Sequence, residues 1–75
     1  MTGVPVLDLA GVPCPQNAAR AILHLEALDE GSLLDVILDG GEPLANVPPA
    51  LETEGHAVLA RTPLSDRWVL RVRRG

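Results

Sequence analysis

Phenylalanine, tyrosine and lysine are absent from this sequence of 75 residues, and cysteine and tryptophan each occur once. Without Phe and Tyr the core must be built from Leu, Val, Ile and Ala. The stacking platforms that a single-strand nucleic-acid binder uses are reduced to Trp68. With the one cysteine, Cys14, no intramolecular disulfide can form and a CxxC dithiol cycle is excluded. One cysteine and two separated histidines, His24 and His56, offer no metal-ligand spacing, so neither a metal nor another cofactor is expected. Gly40-Gly41 is too weak a signal for a phosphate-binding loop. No basic-plus-apolar leader opens the sequence, and no apolar run approaches the roughly 18 residues that span a bilayer. The expectation is a cytoplasmic protein that does not engage membrane.

Six arginines stand against ten acidic residues, for a net charge of −4. Such a balance repels phosphate backbones in general. Apolar residues make up 47% of the sequence, which favours a globular domain over disorder. Residues 1–75 read as a single domain near the lower size limit for folding without staples, with a radius of gyration of about 11 Å. A surface site fits that size better than a deep pocket.

Val4 to Leu9 reads as a first strand with Val4, Val6 and Leu9 on its buried face, and Pro5 suggests an edge or strand start. Ala10 to Pro13 is a loop. Pro15 opens a helix running to about Asp29, since proline suits the first helical position. Ala18, Ala21, Ile22, Leu25 and Leu28 form its apolar stripe, with Arg20 and His24 on the other side. Asp29 and Glu30 oppose the dipole at the helix end, so the last turn is expected to fray, and Gly31 suits the left-handed position beyond it. Leu33 to Leu38, broken only by Asp35, reads as a central, largely buried strand. A short second helix is expected from Pro48 to Glu54, with Asn46 as its N-cap and Gly55 ending it. Ala57 to Arg61 is a third strand and Thr62 to Asp66 a turn. Arg67 to Arg73 is a fourth strand with Trp68, Leu70 and Val72 on one face and the arginines on the other. The order βαβαββ implies an α/β (α+β) two-layer sandwich: a mixed four-stranded sheet with both helices on one face and the other face open to water.

The segment Gly11-Val12-Pro13-Cys14-Pro15-Gln16-Asn17 is the candidate site. Cys14 falls at the N-cap of the first helix, where the first amides lack intrahelical partners and the dipole's positive end points outward. Both favour a thiolate, the form that attacks. The alternative is a small buried hydrophobe in a loop. No His or Asp is placed by sequence as a catalytic base, which argues against a protease-like arrangement.

In its motifs the sequence resembles the TusA/SirA-like sulfur-carrier family over nearly its whole length. The resemblance rests on Gly11-x-x-Cys14-Pro15 opening a helix, on Asp39-Gly40-Gly41 followed by Asn46-Val47-Pro48, and on Gly55-His56 before the third strand. It implies that Cys14 accepts sulfane sulfur as a persulfide and relays it, a persulfide-relay sulfurtransferase. It also implies a sulfur donor protein, a cysteine desulfurase or rhodanese-like protein, and a sulfur acceptor protein. Family destinations are tRNA thiolation, molybdenum-cofactor maturation and sulfur oxidation. The usual Cys-Pro-x-Pro reads Cys-Pro-x-Asn here, which marks a variant branch. The usual Asp-Asp-Pro and Asp-Ile-Pro read Asp39-Gly40-Gly41 and Asn46-Val47-Pro48. These departures bear on the choice of donor and acceptor rather than on the fold.

Asn17 restores a backbone N–H that proline lacks, and that N–H is expected to reach back to the Cys14 sulfur. Pro15 and the amides of Gln16 and Asn17 would then preorganise the thiol. Arg61, Arg67, Arg71 and Arg73 read either as a solvated outer sheet face or as a docking surface for an acidic partner or an RNA acceptor. His56 packs beside the turn after Gly55, and Trp68 anchors the core. Two rival functions remain. One is a non-catalytic interaction or regulatory module on the same fold. The other, RNA binding on the open sheet face, is opposed by the acidic charge and missing aromatics. A monomer that docks transiently is expected.

Overall fold

The computed structural model describes residues 3–75. Its elements are β1 (Val6–Asp8), α1 (Gln16–Glu26), β2 (Leu33–Asp39), α2 (Glu42–Thr53), β3 (Ala57–Leu64) and β4 (Arg67–Arg73). The sheet runs β1-β2-β4-β3, with β1 parallel to β2 and β4 antiparallel to both of its neighbours. This is the expected α+β arrangement, a mixed four-stranded sheet with two helices. The radius of gyration is 11.1 Å.

Alternation along β2 and β4 decides which face meets the helices. Leu34, Val36 and Leu38 from β2 and Leu70 and Val72 from β4 are fully buried. They pack with Ala21 and Leu25 of α1 and Val47 and Leu51 of α2 in one aliphatic core. Ala18, Ile22 and Leu28 flank it as the helical spacing predicts. β2 is central, but only every second residue is buried. Asp35 lies on the water-facing side, where Arg71 grips it through two hydrogen bonds of 2.9 Å each. That bidentate pairing holds the Arg71 guanidinium above its ordinary pKa, through the hydrogen bond first and the charge second.

Several sequence expectations need correction. Val6 faces water at 59% exposure, because its register partner is Asp35 on the open face. Leu7 is the inward residue of the strand instead, and Leu9 is buried as expected. The first helix stops at Glu26 rather than Asp29, and Gly31 (φ 84°) comes later in the connection, its N–H bonded to the Arg74 carbonyl at 2.9 Å. The acidic pair after the helix is thereby kept off its negative end.

The second helix begins six residues earlier than the prolines suggest, with Gly41 at its N-cap and exposed Asn46 in its interior. Pro48 and Pro49 therefore sit inside it. Each removes a helical donor, at about 3 kcal/mol in an ordinary helix interior. Leu44, Val47, Pro48 and Leu51 recur at i, i+3, i+4 and i+7, and the last three are fully buried. Burying side chains of this size contributes about 1.5–3 kcal/mol each, enough to offset the lost backbone bonds. Gly55 (φ 93°) closes α2: its N–H donates to the Glu52 carbonyl at 2.9 Å and that of His56 to Leu51 at 3.0 Å, a Schellman motif.

The third strand runs on to Leu64, three residues past the expected end, and tolerates Pro63 because it is an edge strand. Its register shifts between Val58 and Ala60, a β-bulge around Leu59. Past the bulge, Ala60 opposes Arg71 and Arg61 opposes Leu70. Trp68 is half-buried at the end of the sheet, its ring beside Gly40, and lies outside the buried core.

Candidate functional site

Two connections leave the sheet at the carboxyl ends of the parallel strands β1 and β2. Residues 9–15 follow β1 and lead into α1, and Gly40-Gly41 follows β2 and leads into α2. The carboxyl ends of parallel strands are where open α/β sheets place their ligands.

The first connection is held from several sides. Asp8 Oδ1 accepts the Ala10 N–H at 2.9 Å, and the Leu9 carbonyl accepts the Val12 N–H at 3.1 Å. Gly11, at φ 77°, donates its N–H to Asp39 Oδ2 at 2.7 Å. The other carboxylate oxygen of Asp39 accepts from Arg67 Nε at 3.4 Å. Asp39 thus ties the cysteine loop to β2 and β4 across 28 positions of sequence. The sequence marks Asp39-Gly40-Gly41 as a motif element but assigns Asp39 no partner, because nothing local announces one so far upstream.

Cys14 is an exposed free thiol. It stands one residue outside the helix cap, since Pro15 (φ −91°, ψ 10°) occupies the N-cap position and Gln16 begins α1. Pro15 and Gln16 are exposed beside it. Asn17 is fully buried. Its backbone N–H does not reach the sulfur as expected but donates to the Pro13 carbonyl at 3.0 Å, closing the first helical turn. The side chain makes the contact instead: Asn17 Nδ2 donates to Cys14 Sγ at 3.1 Å. Its Oδ1 accepts the Ala18 N–H at 2.7 Å. Among the described residues, this side-chain amide is the group that hydrogen-bonds the sulfur.

The histidines lie elsewhere. His56 is 7% exposed and accepts the Gly75 N–H at Nδ1, 3.1 Å away. It precedes Ala57, which pairs with Arg73 at the sheet end opposite the Asp39–Arg67 rung. The reading of His56 as a packed residue beside the Gly55 turn agrees with this. His24 is in the last turn of α1, far along the helix from Cys14.

The four arginines do not share one surface. Arg67, Arg71 and Arg73 alternate onto the open face, but Arg67 is paired with Asp39 and Arg71 with Asp35. The bulge in β3 puts Arg61 in phase with Leu70, on the helix-facing side of the edge strand. Unbroken alternation would have placed it with the others.

The family model for sulfurtransferase TusA matches residues 6–74. A protein of Archaeoglobus fulgidus described as "putative sulfur carrier protein" is 33% identical over 70 residues, which cover 92% of this chain and 80% of that one. No helix among the described residues is long and apolar enough to cross a membrane.

Proposed function

The chain belongs to the TusA sulfurtransferase family, and from that premise we propose that it carries sulfane sulfur as a persulfide on Cys14 and relays it from one protein to another. The observation that carries this reading is an exposed, hydrogen-bonded cysteine in a chain that has no second thiol. A neighbouring thiol would attack a persulfide, form a disulfide and release the sulfur. With no such neighbour the cargo survives until an outside nucleophile arrives.

In the loading step the Cys14 thiolate attacks the outer sulfur of a donor protein's persulfide. One S–S bond forms, the donor's S–S bond breaks, and the electron pair departs on the donor thiolate. In delivery an acceptor nucleophile attacks the outer sulfur now on Cys14, and Cys14 leaves as thiolate. Each step exchanges one S–S bond for another bond to the same sulfane sulfur, so no external oxidant or reductant enters. The exposed site suits a donor such as a cysteine desulfurase or rhodanese-like protein and a protein acceptor in tRNA thiolation, cofactor biosynthesis or sulfur metabolism. The protein works as a cytoplasmic monomer and does not itself bind nucleic acid.

Incubation with a cysteine desulfurase and radiolabelled cysteine tests the proposal. Label is expected on the wild-type chain, removable by a thiol reductant, and absent from Cys14→Ser. Equal label on both proteins would contradict it. Label on neither, with both desulfurase and rhodanese donors, would favour a non-catalytic interaction module.

A further inference from the structure

Asn17 is a fully buried polar side chain directly beneath an exposed reactive atom. Both ends of its amide are assigned. Oδ1 is held by the Ala18 N–H, which can only donate, so Nδ2 is the end that faces the sulfur. The group cannot flip without setting two N–H donors against each other. Burial keeps water from competing for Nδ2, and a donor in such surroundings acts more strongly on a charge than one in water.

We propose that Asn17 is a positioning residue for sulfur transfer: its Nδ2–H holds the exposed Cys14 sulfur in place and stabilises the negative charge that the sulfur bears as nucleophile in loading and as leaving group in delivery. This role rests on the persulfide-relay reading, and it deepens that reading by assigning the position three residues after the cysteine a side-chain donor. A proline there would supply no donor at all.

Asn17→Leu removes the donor in nearly the same volume. Asn17→Asp keeps an acceptor for the Ala18 N–H but turns an oxygen toward the sulfur. Two readouts are taken on each variant: the rate of Cys14 alkylation by iodoacetamide at neutral pH, and the melting temperature by circular dichroism. A hydrogen bond to a charged group is typically worth enough that its loss slows alkylation about tenfold in Asn17→Leu. Asn17→Asp is slower still, because a carboxylate repels the thiolate. A purely structural role would make the rates follow stability instead, and the apolar Leu variant would then match or exceed the wild-type rate. Wild-type alkylation rates in both folded variants would overturn the proposal. The Asn17 side-chain NH2 resonances provide a second signature: they are expected to shift when Cys14 is alkylated, and unshifted resonances would count against the contact. None of these readouts needs a sulfur donor. If wild type takes up no sulfur while Asn17→Leu still slows alkylation, the relay reading fails, and with it the role in transfer, while the action of Asn17 on the Cys14 thiolate stands.

Discussion

At the residue scale, the site consists of few atoms, each fixed by a specific partner. Cys14 is presented by Asn17, and the loop before it by Asp39 through Gly11. Replacing Asp39 with Ala leaves the Gly11 N–H without its carboxylate acceptor and frees Arg67. The expected result is faster hydrogen exchange at the Gly11 amide, with core amides such as Val36 unchanged. Equal exchange in both proteins would show that the loop does not depend on this contact. Gly55 makes a separate prediction. It adopts φ 93° with open space around its would-be Cβ, so Gly55→Ala meets conformational strain rather than a clash. The cost is about 1–2 kcal/mol, measurable by urea denaturation. How far these residues were legible in the sequence differs. Cys14 stood out by position. The sequence points to Asn17 as the donor residue but to its backbone rather than its side chain, and the first helical turn closes on Pro13 and consumes that backbone N–H. Asp39 was invisible in this role, since its partner lies 28 positions away.

At the element scale, periodic patterns carried the fold and prolines misled it. The stripe of α1 and the alternation of β4 place the residues that spacing predicts. Two consecutive prolines usually mark a helix boundary, so the sequence predicts a shorter second helix than the structure shows. The pattern Leu44, Val47, Pro48, Leu51 was the stronger signal, and burial on the core holds the helix through them. The two prolines are not equivalent: Pro48 is fully buried and Pro49 exposed. Pro49→Ala restores a backbone donor for the Ala45 carbonyl without opening a cavity. It is expected to stabilise the protein by about 1–2 kcal/mol, less than the full helix-interior figure because proline also restricts the unfolded chain. A lower urea midpoint in Pro49→Ala would contradict this account of α2. In β3 the obstacle was the bulge, which inverts every residue beyond Leu59 and moves Arg61 off the open face. Nothing local in Ala57 to Arg61 signals it.

At the scale of the whole molecule, one aliphatic layer lies between two helices and the sheet. The opposite sheet face is organised by cross-strand charge pairs, Asp35 with Arg71 and Asp39 with Arg67. Two of the four arginines that read either as a solvated face or as a docking surface are therefore engaged within the chain, and a partner attracted by charge meets Arg73 and Arg61 on different faces. A thin core in a small chain makes stability sensitive to single deletions. Leu25→Ala, at a fully buried position of α1, is expected to cost about 2–5 kcal/mol, a large part of the total stability of so small a protein. Thermal unfolding monitored by circular dichroism should show the transition lowered by many degrees. A shift of only a degree or two would mean that α1 contributes little to the core. The βαβαββ order, the mixed sheet and the single core were all readable beforehand, because they follow from periodicity and chain order alone. Contacts that join distant residues across the sheet end were not.

Sulfur carried by this protein resides on one atom, so peptide-level mass spectrometry is the most direct test. The wild-type protein is exposed to a donor persulfide, digested without reductant, and the peptide containing Cys14 is weighed. The predicted result is a gain of one sulfur atom on Cys14, lost on adding an acceptor thiol, with no change in any other peptide. A Cys14 peptide that stays unmodified while the donor discharges its sulfur would contradict the account.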